Sequence, residues 1–486
     1  MKQIRFLATA SILVACFLFS CNKGPELYLS TRFVEFEAMS EDSIIVRISS
    51  TVKWQVTLLQ DWVIVDPMEG ENNGNIIITA EYNPDFFRRT AKIAISGDGV
   101  KTDTIFVEQI DGIDIAPFII NDRLRDTCLF RYDVSPKDGK LSISELNKVQ
   151  ELTIRRMELN TLRGIEYFTR LTYLDCSENN LTTIDLSNNK LLRELNCSSN
   201  RLERLDMTRN KELLRLNCGF MESLPNRKFT QLNVTGLEKL RVIETYNTDL
   251  SSIDVSTNIA LETLAISRNP ISSLTLTNNL NLVHLECNDN LFTEINISSN
   301  TKLATLSLYR SDIRDGNGNI ITTNKLRTLT LTANTELINL DISGNLLSDP
   351  NIVKNNTKLR SLICSRNSFT SLDLSANVEL AELICNMNQL TSLNLSYNPK
   401  LERLSCESCS LSGSLNLRHN PNLRYIYLRY NNLNQILVWN GFCTQVRHNE
   451  WYPDYIPPPG SSRLPFEKDF STSWVQENGN ICDPPP

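Results

Sequence analysis

One sequence pattern returns about every 21 residues between Val149 and Val438, and it constrains the fold more than any other feature of the chain. The pattern is Leu-x-x-Leu-x-Cys-x-x-Asn-x-Leu-x-x-Leu-x-Leu-x-x-Asn, and the stretch from Leu171 to Asn189 is one of its clearest copies. A single copy is too short to bury its own leucines. Each copy must therefore stack on the next, which predicts a solenoid whose coils contact only their neighbours.

The length and leucine spacing of the unit are typical of leucine-rich repeats. The register predicts about thirteen coils, which begin at residues 149, 171, 192, 213, 240, 261, 282, 303, 337, 359, 380, 401 and 423. The coil at 213 is longer than the others by six residues and the coil at 303 by thirteen. A stacked core cannot absorb such inserts, so they are expected to leave as loops. The second insert, residues 312–324, is either a surface loop without a role in binding or a loop that contacts a ligand.

Residues 439–486 depart from the repeat and are rich in tryptophan and proline, as expected of a cap that shields the last coil. We therefore predict a mainly β protein with a leucine-rich-repeat solenoid over residues 149–438 and a cap or tail over residues 439–486. Cys443 and Cys482 flank this tail, and the sequence leaves open whether they form a disulfide bond.

Seven cysteines share one inward repeat position, and they are Cys176, Cys197, Cys218, Cys287, Cys364, Cys385 and Cys406. Stacked parallel strands lie about 4.8 Å apart and hold neighbouring Cβ vectors parallel, which suits the torsion of a disulfide poorly. We therefore expect buried reduced thiols that pack as small apolar groups. The row resembles the cysteine ladder of internalin-J-type repeats. Cys409 instead takes the place of the repeat asparagine, one turn from Cys406.

Residues 1–20 carry Lys2 and Arg5 before an apolar run, as in a secretory leader. Leu18-Phe19-Ser20-Cys21 resembles the bacterial lipoprotein signal, which implies lipid attachment at Cys21 and an outer-membrane lipoprotein, on the cell surface or the periplasmic face. Cys16 fits the same signal but would leave an apolar segment in the mature chain. Removal of the leader changes the formal net charge from -7 to -9, with 47 Lys plus Arg against 56 Asp plus Glu. This acidity argues against nucleic acid as a partner.

Residues 21–112 read as short alternating strands separated by turns, which predicts an antiparallel β-sandwich. Trp54, Trp62-Val63-x-Val65-x-Pro67-x-x-Gly70, Asn83, Arg89-Thr90-Ala91-x-Ile93 and Val107-x-Gln109 resemble the BACON domain of Bacteroidetes surface proteins. The resemblance implies either a carbohydrate role or a spacer between the membrane and a working domain. Because both tryptophans lie within strand patterns, we expect core positions rather than sugar-stacking platforms.

We predict that residues 113–148 form a linker and an N-terminal cap. Asp133, Asp138 and Glu145 resemble the ligands of an EF-hand calcium loop, although Val134 and Pro136 occupy the first and third ligand positions. The alternative is local, since Ser142-x-x-Glu145 is a capping box that opens a short helix.

Side chains between the leucines alternate outward and form the concave face of the solenoid. In the early and middle coils this face includes Tyr173, Phe220, Tyr246, Arg268, His284 and Glu286. Tyrosine and arginine often dominate binding energy, and the candidate ligand contacts are Tyr425, Tyr427, Tyr430, Arg424, Arg429, Tyr309 and Arg310. For the group in the last coil, the alternative is that the tail covers it.

The expected function is noncovalent recognition of another protein, for example in host adhesion, by a lipid-anchored exported protein. The alternative is glycan binding in a carbohydrate-capture system. The sequence contains no Gly-x-Ser-x-Gly elbow and no His-Glu-x-x-His pair, and its three histidines are scattered. We accordingly predict no catalytic residues, no enzyme activity and no cofactor or metal apart from the weak calcium candidate.

Overall fold

The computed structural model describes residues 24–36, 43–83, 88–109, 114–133, 139–221, 228–311, 325–440, 442, 466–467, 473–479 and 481–482. The predicted leader with Cys16 and Cys21, the insert 312–324, Asp138 and Cys443 lie outside these residues. Two compact units are present, the first reaching Asp114 and including Ser142–Ser144, and the second made of Ile115–Leu141 and the chain from Glu145 onward. Within the described parts, no helix combines the length and the apolar character that a membrane span requires.

The first unit consists of two sheets. Its strands are β1 (Leu27–Leu29), β2 (Phe33–Phe36), β3 (Ile44–Ser50), β4 (Lys53–Leu58), β5 (Val63–Asp66), β6 (Glu69–Glu71), β7 (Gly74–Ala80), β8 (Arg89–Gly97) and β9 (Asp103–Gln109). The strand orders are β1-β3-β7-β5 and β2-β9-β8-β4-β6. All pairs are antiparallel except β2 with β9. Alternate residues of β3 and β7, among them Val46, Ile48, Ile76 and Ile78, are buried, so the predicted sandwich is confirmed.

Both tryptophans of the first unit belong to its core, as predicted. Trp54 is 3% exposed and Trp62 is 8% exposed. The indole N–H of Trp54 donates to the carbonyl of Asn72 over 2.9 Å, and the guanidinium of Arg89 lies 4.3 Å from the ring centre of Trp62. The rings are therefore packed by the protein itself and offer little surface on which a sugar could stack.

Three short helices precede the repeats, namely a 3-10 helix (Ala116–Phe118), α1 (Asp122–Tyr132) and α2 (Ile143–Leu146). The side chain of Asn121 caps α1 by accepting from the N–H of Leu124 at 3.2 Å. Helix α2 begins directly after Ser142, where the capping-box alternative predicts a helix start. The carboxylate of Asp133 is buried and accepts from the N–H of Gly139 over 2.8 Å. The calcium interpretation stays untested, because Asp138 lies outside the described residues.

The second unit is built on one long parallel sheet. Its strands are β10 (Glu151–Thr153), β11 (Tyr173–Asp175), β12 (Glu194–Asn196), β14 (Arg215–Asn217), β16 (Val242–Glu244), β17 (Thr263–Ala265), β18 (His284–Glu286), β19 (Thr305–Ser307), β20 (Asn339–Asp341), β21 (Ser361–Ile363), β22 (Glu382–Ile384), β23 (Arg403–Ser405), β25 (Tyr425–Tyr427) and β27 (Phe466–Glu467). A further 3-10 helix (Ile165–Tyr167) lies in the first coil, and β13 (Arg204–Asp206) pairs with β15 (Gln231–Asn233).

Thirteen of the fourteen strands in the long sheet come from the thirteen predicted coils, one from each, which confirms the repeat register. Equivalent leucines pair directly, as Leu152 with Leu174 and Leu174 with Leu195. These leucines are 0 to 2% exposed. The stacked coils therefore bury the side chains that no single coil could bury alone.

The repeat asparagines join consecutive coils. The amide nitrogen of Asn200 donates to the carbonyl of Cys197 in its own coil at 2.9 Å and to that of Cys176 in the preceding coil at 3.1 Å. The residue before each such asparagine is commonly left-handed, as Ser199 with φ 54°. A buried amide thus provides donors for backbone carbonyls that the turn leaves without strand partners.

The seven predicted ladder cysteines are free thiols and are buried, with exposures of 0 to 2%. Their expected state is confirmed. Cys176 and Cys197 follow directly after paired strands β11 and β12, so their side chains enter the core in consecutive layers. Removal from water raises the pKa of these thiols well above the ordinary range, as at Cys197. The thiols are accordingly protonated at neutral pH and act as small apolar groups.

Strands from the tail continue both sides of the last coil. In the long sheet, β27 pairs with β25, while β24 (Ser412–Asn416), β26 (Asn432–Val438), β28 (Ser473–Gln476) and β29 (Ile481–Cys482) form a second sheet. Trp474 of β28 is fully buried, and its ring centre lies 5.0 Å from that of Phe442. These residues cover apolar surface that the last coil would otherwise expose.

Candidate ligand-binding face

The tyrosines of the last coil differ in exposure. Tyr430 is 72% exposed, Arg424 and Arg429 are exposed, and Tyr425 is half-buried. Tyr427, predicted to contact a ligand, is only 6% exposed. A ligand contact would require exposure that Tyr427 does not have, and its burial agrees with the alternative that the tail covers the last coil. Ile426 fills the core, as the register predicts, and Tyr427 pairs with Glu467 of β27, so the tail adds a strand beside the last coil.

Arg310 also departs from its predicted role, since the side chain is 4% exposed and, among the described residues, its Nε and Nη1 atoms have no hydrogen-bond partner. Burial lowers the pKa of this guanidinium, while the nearby charge of Asp289 acts in the opposite direction. The equivalent residues of the adjacent coils, Asp289 and Gly344, have φ of 53° and 74°, whereas Arg310 does not share this left-handed conformation. Its side chain therefore does not point outward, although the repeat register predicts that direction.

The coils between residues 213 and 311 carry a middle aromatic group, which we define as Phe220, Tyr246 and Tyr309. Phe220 is 54% exposed and Tyr309 is 36% exposed. The ring centres of Phe220 and Tyr246 are 6.0 Å apart and tilted by 31°. Aromatic residues held against one another lose little side-chain freedom on binding, which is why they are effective contact residues.

Gly219 allows Phe220 and Tyr246 to approach each other. A Cβ atom at Gly219 would lie 2.8 Å from the backbone nitrogen of Tyr246. Phe220 is left-handed, with φ 53°, and its N–H donates to the carbonyl of Tyr246 over 2.6 Å. The pair is therefore positioned by main-chain hydrogen bonds rather than by side-chain packing alone.

Charged side chains lie beside the middle aromatic group. The hydroxyl of Tyr246 donates to Glu286 Oε2 over 3.3 Å, and His284 Nε2 lies 3.6 Å from the same carboxylate oxygen. The hydrogen bond with His284 lowers the pKa of Glu286, whereas burial, aided by the charge of Glu286, raises the pKa of Tyr246 to about 12. This part of the face thus combines exposed rings with a carboxylate and a protonated phenol.

The depression on the concave face is too small for a typical small-molecule ligand. On the concave face, a depression of about 170 Å³ is lined by residues that include Tyr173, Arg215 and Glu244. Drug-sized ligands typically occupy about 300 to 1,000 Å³. The first unit has a wider cleft of about 630 Å³ beside Lys53, Glu71 and Asp98, but it is polar, and Trp54, which contributes to its lining, is 3% exposed. The concave face therefore suits contact with an extended surface.

Sequence reasoning placed Phe220 and Tyr246 on the concave face but did not select them as contacts. It favoured the last coil because several tyrosines and arginines occur there in one short segment. Two signals could have identified the middle group. Gly219-Phe220 puts a glycine immediately before an exposed ring, and the repeat register sets Tyr246 and Tyr309 in one column, three coils apart.

Comparison with known proteins supports both parts of the architecture. Residues 52–109 match the family model for BACON, described as a putative binding domain, N-terminal. The functional domain of internalin J from Listeria monocytogenes, whose structure includes a cysteine ladder, is similar with 26% identity and a TM-score of 0.55, over 67% of this chain and 75% of that one. An internalin from the same species, InlF, has 20% identity and a TM-score of 0.56, over 66% of this chain and 93% of that one.

No curated protein matches the sequence. The matched family and the similar internalins nevertheless fit the described structure, with its sandwich, its thirteen stacked coils and its row of buried thiols. The chain therefore joins a BACON domain to a leucine-rich-repeat solenoid with a cysteine ladder.

Proposed function

We propose that this chain is an exported, lipid-anchored recognition protein that binds another protein through the middle aromatic group of its concave face. The observation that carries the proposal is the exposure of Phe220 and Tyr309, on either side of the Tyr246–Glu286 hydrogen bond. Exposed aromatic residues on a rigid scaffold are the typical centres of protein interfaces. Binding without catalysis is part of this proposal.

A protein partner agrees better with this face than a glycan partner. The face is wide and shallow, with mixed charges and only a small depression, whereas small ligands are usually held in a concave pocket. The two tryptophans that could have served as sugar platforms are buried in the first unit. A contribution to host adhesion is a specific form of the same proposal, and it requires the cell-surface location.

We also propose that lipid is attached at Cys21. The leader and its Leu18-Phe19-Ser20-Cys21 segment support this proposal. The expected location is the outer membrane. Replacement of Cys21 by serine should release the protein from the membrane fraction, while replacement of Cys16 should not. Release by the Cys16 variant alone would contradict the assignment.

Recognition is tested by exposing the purified full chain to an array of extracellular proteins and to a glycan array under identical buffer conditions. Saturable binding to one or more proteins, with no glycan bound, is expected. Saturable glycan binding without any protein binding would favour the carbohydrate-capture alternative. A variant with Phe220→Ala and Tyr309→Ala, probed on both arrays, indicates whether the observed binding uses the proposed face.

A further inference from the structure

The three cysteines Cys385, Cys406 and Cys409 form a separate chemical group in the core of the late coils. All three side chains are fully buried, and their sulfur atoms lie within 4.8 Å of one another. Within the described residues, this is the group of cysteine, histidine and acidic side chains whose geometry could hold a metal ion. The cluster arises because Cys409 adds a third thiol to two consecutive ladder positions.

Cys409 occupies the place that an asparagine amide takes in eight of the other twelve coils. In the preceding coil, Asn388 Nδ2 donates to the carbonyls of Cys364 and Cys385 at 3.1 and 2.9 Å. The thiol of Cys409 instead lies 3.1 Å from the carbonyl oxygen of Cys385. The substitution therefore gives up the donors of an amide and puts a sulfur atom against two ladder thiols. The exchange weakens hydrogen bonding to the preceding coil, because a thiol is a weak donor.

The thiolate is the form of cysteine that binds metal ions, so the buried thiols must lose their protons when a metal ion binds. Cys287 provides a comparison within the ladder, because its coil retains Asn290 at the asparagine position.

We propose that Cys385, Cys406 and Cys409 form a trigonal site for a soft monovalent cation, Cu(I). Soft thiolate ligands select Cu(I) and zinc. Structural zinc sites use four ligands, and catalytic ones add water to three. Here the three sulfur atoms are sealed from solvent, so water does not complete a tetrahedron. When the cation binds, each coordinating sulfur releases its proton to solvent.

The test uses the reduced full chain under anaerobic conditions, with Cu(I) buffered by a competing chelator and equilibration followed for hours because the site is buried. Bound copper, the ultraviolet copper–thiolate absorption and copper X-ray absorption are measured. One Cu(I) per chain with sulfur ligands is expected. Cys409→Asn restores the repeat residue and should fold normally, and we expect it to weaken Cu(I) binding by at least about 100-fold, since loss of a supporting partner alone costs 10- to 100-fold.

Cys287→Ser is the matched control, because it removes a ladder thiol that has no cysteine in either adjacent coil. It should bind Cu(I) like the unmodified protein. Cys409→Ser provides a second ligand-removing variant should Cys409→Asn misfold. Equal copper binding by the Cys409 variants and the unmodified chain, preferential retention of zinc, or a native disulfide within the cluster on peptide mapping would each overturn the proposal.

Discussion

The middle coils and the last coil of the solenoid share one repeat register but present different surfaces. In the middle, Phe220 and Tyr309 are exposed on the concave face. In the last coil, Tyr427 is directed by the same register and is nevertheless buried beside strand β27. Register thus determines the direction of a side chain, whereas exposure also depends on chain segments that do not belong to the repeat.

The largest effect should come from the coil in which the repeat geometry is perturbed. Gly344 has φ 74°, and a Cβ there would overlap the carbonyl oxygen of Arg310. We expect Gly344→Ala to destabilise the protein by roughly 3 kcal/mol or more, because backbone strain and overlap act together. Chemical denaturation of the purified variant measures this.

Gly413→Ala is the control for that substitution, since Gly413 has φ 72° but no atom near the position of the added Cβ. This variant should lose about 1 kcal/mol of stability, because only backbone strain acts on it. Similar losses for the two variants would contradict the close approach of Arg310 to Gly344.

Substitutions of Tyr427 and Tyr430 compare a buried with an exposed position in the same coil. Tyr427→Ala should lower stability by roughly 3 kcal/mol, as for a buried aromatic residue, and make the tail more sensitive to protease. Tyr430→Ala should change stability by less than about 0.5 kcal/mol. Thermal unfolding combined with limited proteolysis distinguishes them, and an unaffected Tyr427 variant would mean that the tail does not cover this position.

Substitution of Arg310 tests whether burial of its guanidinium destabilises the fold. Burial of a charged group whose hydrogen bonds are incomplete costs free energy that an apolar side chain of similar length avoids. We expect Arg310→Met to raise the free energy of unfolding by about 1 kcal/mol, whereas Arg268→Met, at an exposed position, should leave it nearly unchanged. Denaturant midpoints give both values, and a clear loss of stability in Arg310→Met would show that the guanidinium has stabilising partners.

The smallest effect concerns pH. The pKa of Glu286 is lowered in the folded state, first by its hydrogen bond with His284. A depressed carboxyl pKa contributes stability above the unfolded value of about 4.3 and loses it as the pH falls through the folded value. The unmodified protein should therefore lose slightly more thermal stability between about pH 5 and pH 3 than Glu286→Gln. A larger loss in the variant would reverse the assigned sign.

Much of this structure could be predicted because the repeat leaves few alternatives. Leu174, Leu195 and Leu216 recur at one spacing and must stack, so the thirteen coil positions followed from the sequence. The sequence left open whether the tail covers Tyr427, because residues 439–486 carry no period that would place a strand beside it. Arg310 lies directly before an insert that interrupts the repeat geometry.

The geometry of the cysteine cluster could not be predicted from the sequence either. The sequence revealed that Cys409 replaces an asparagine one turn from Cys406, but the distance of its sulfur from Cys385 depends on the spacing between two coils. Identification of the middle aromatic group likewise required the tilt and separation of the Phe220 and Tyr246 rings, which a repeat pattern does not specify.

The most direct test of the binding surface compares two double variants against a protein partner selected on the array. Phe220→Ala with Tyr309→Ala should weaken affinity by about 2 kcal/mol, roughly 30-fold, whereas Arg424→Ala with Tyr430→Ala should change it less than about threefold. All four residues are exposed, so both variants should retain the thermal stability of the parent. A large loss of affinity in the last-coil variant with an unaffected middle-coil variant would contradict the assignment of the middle aromatic group as the binding surface.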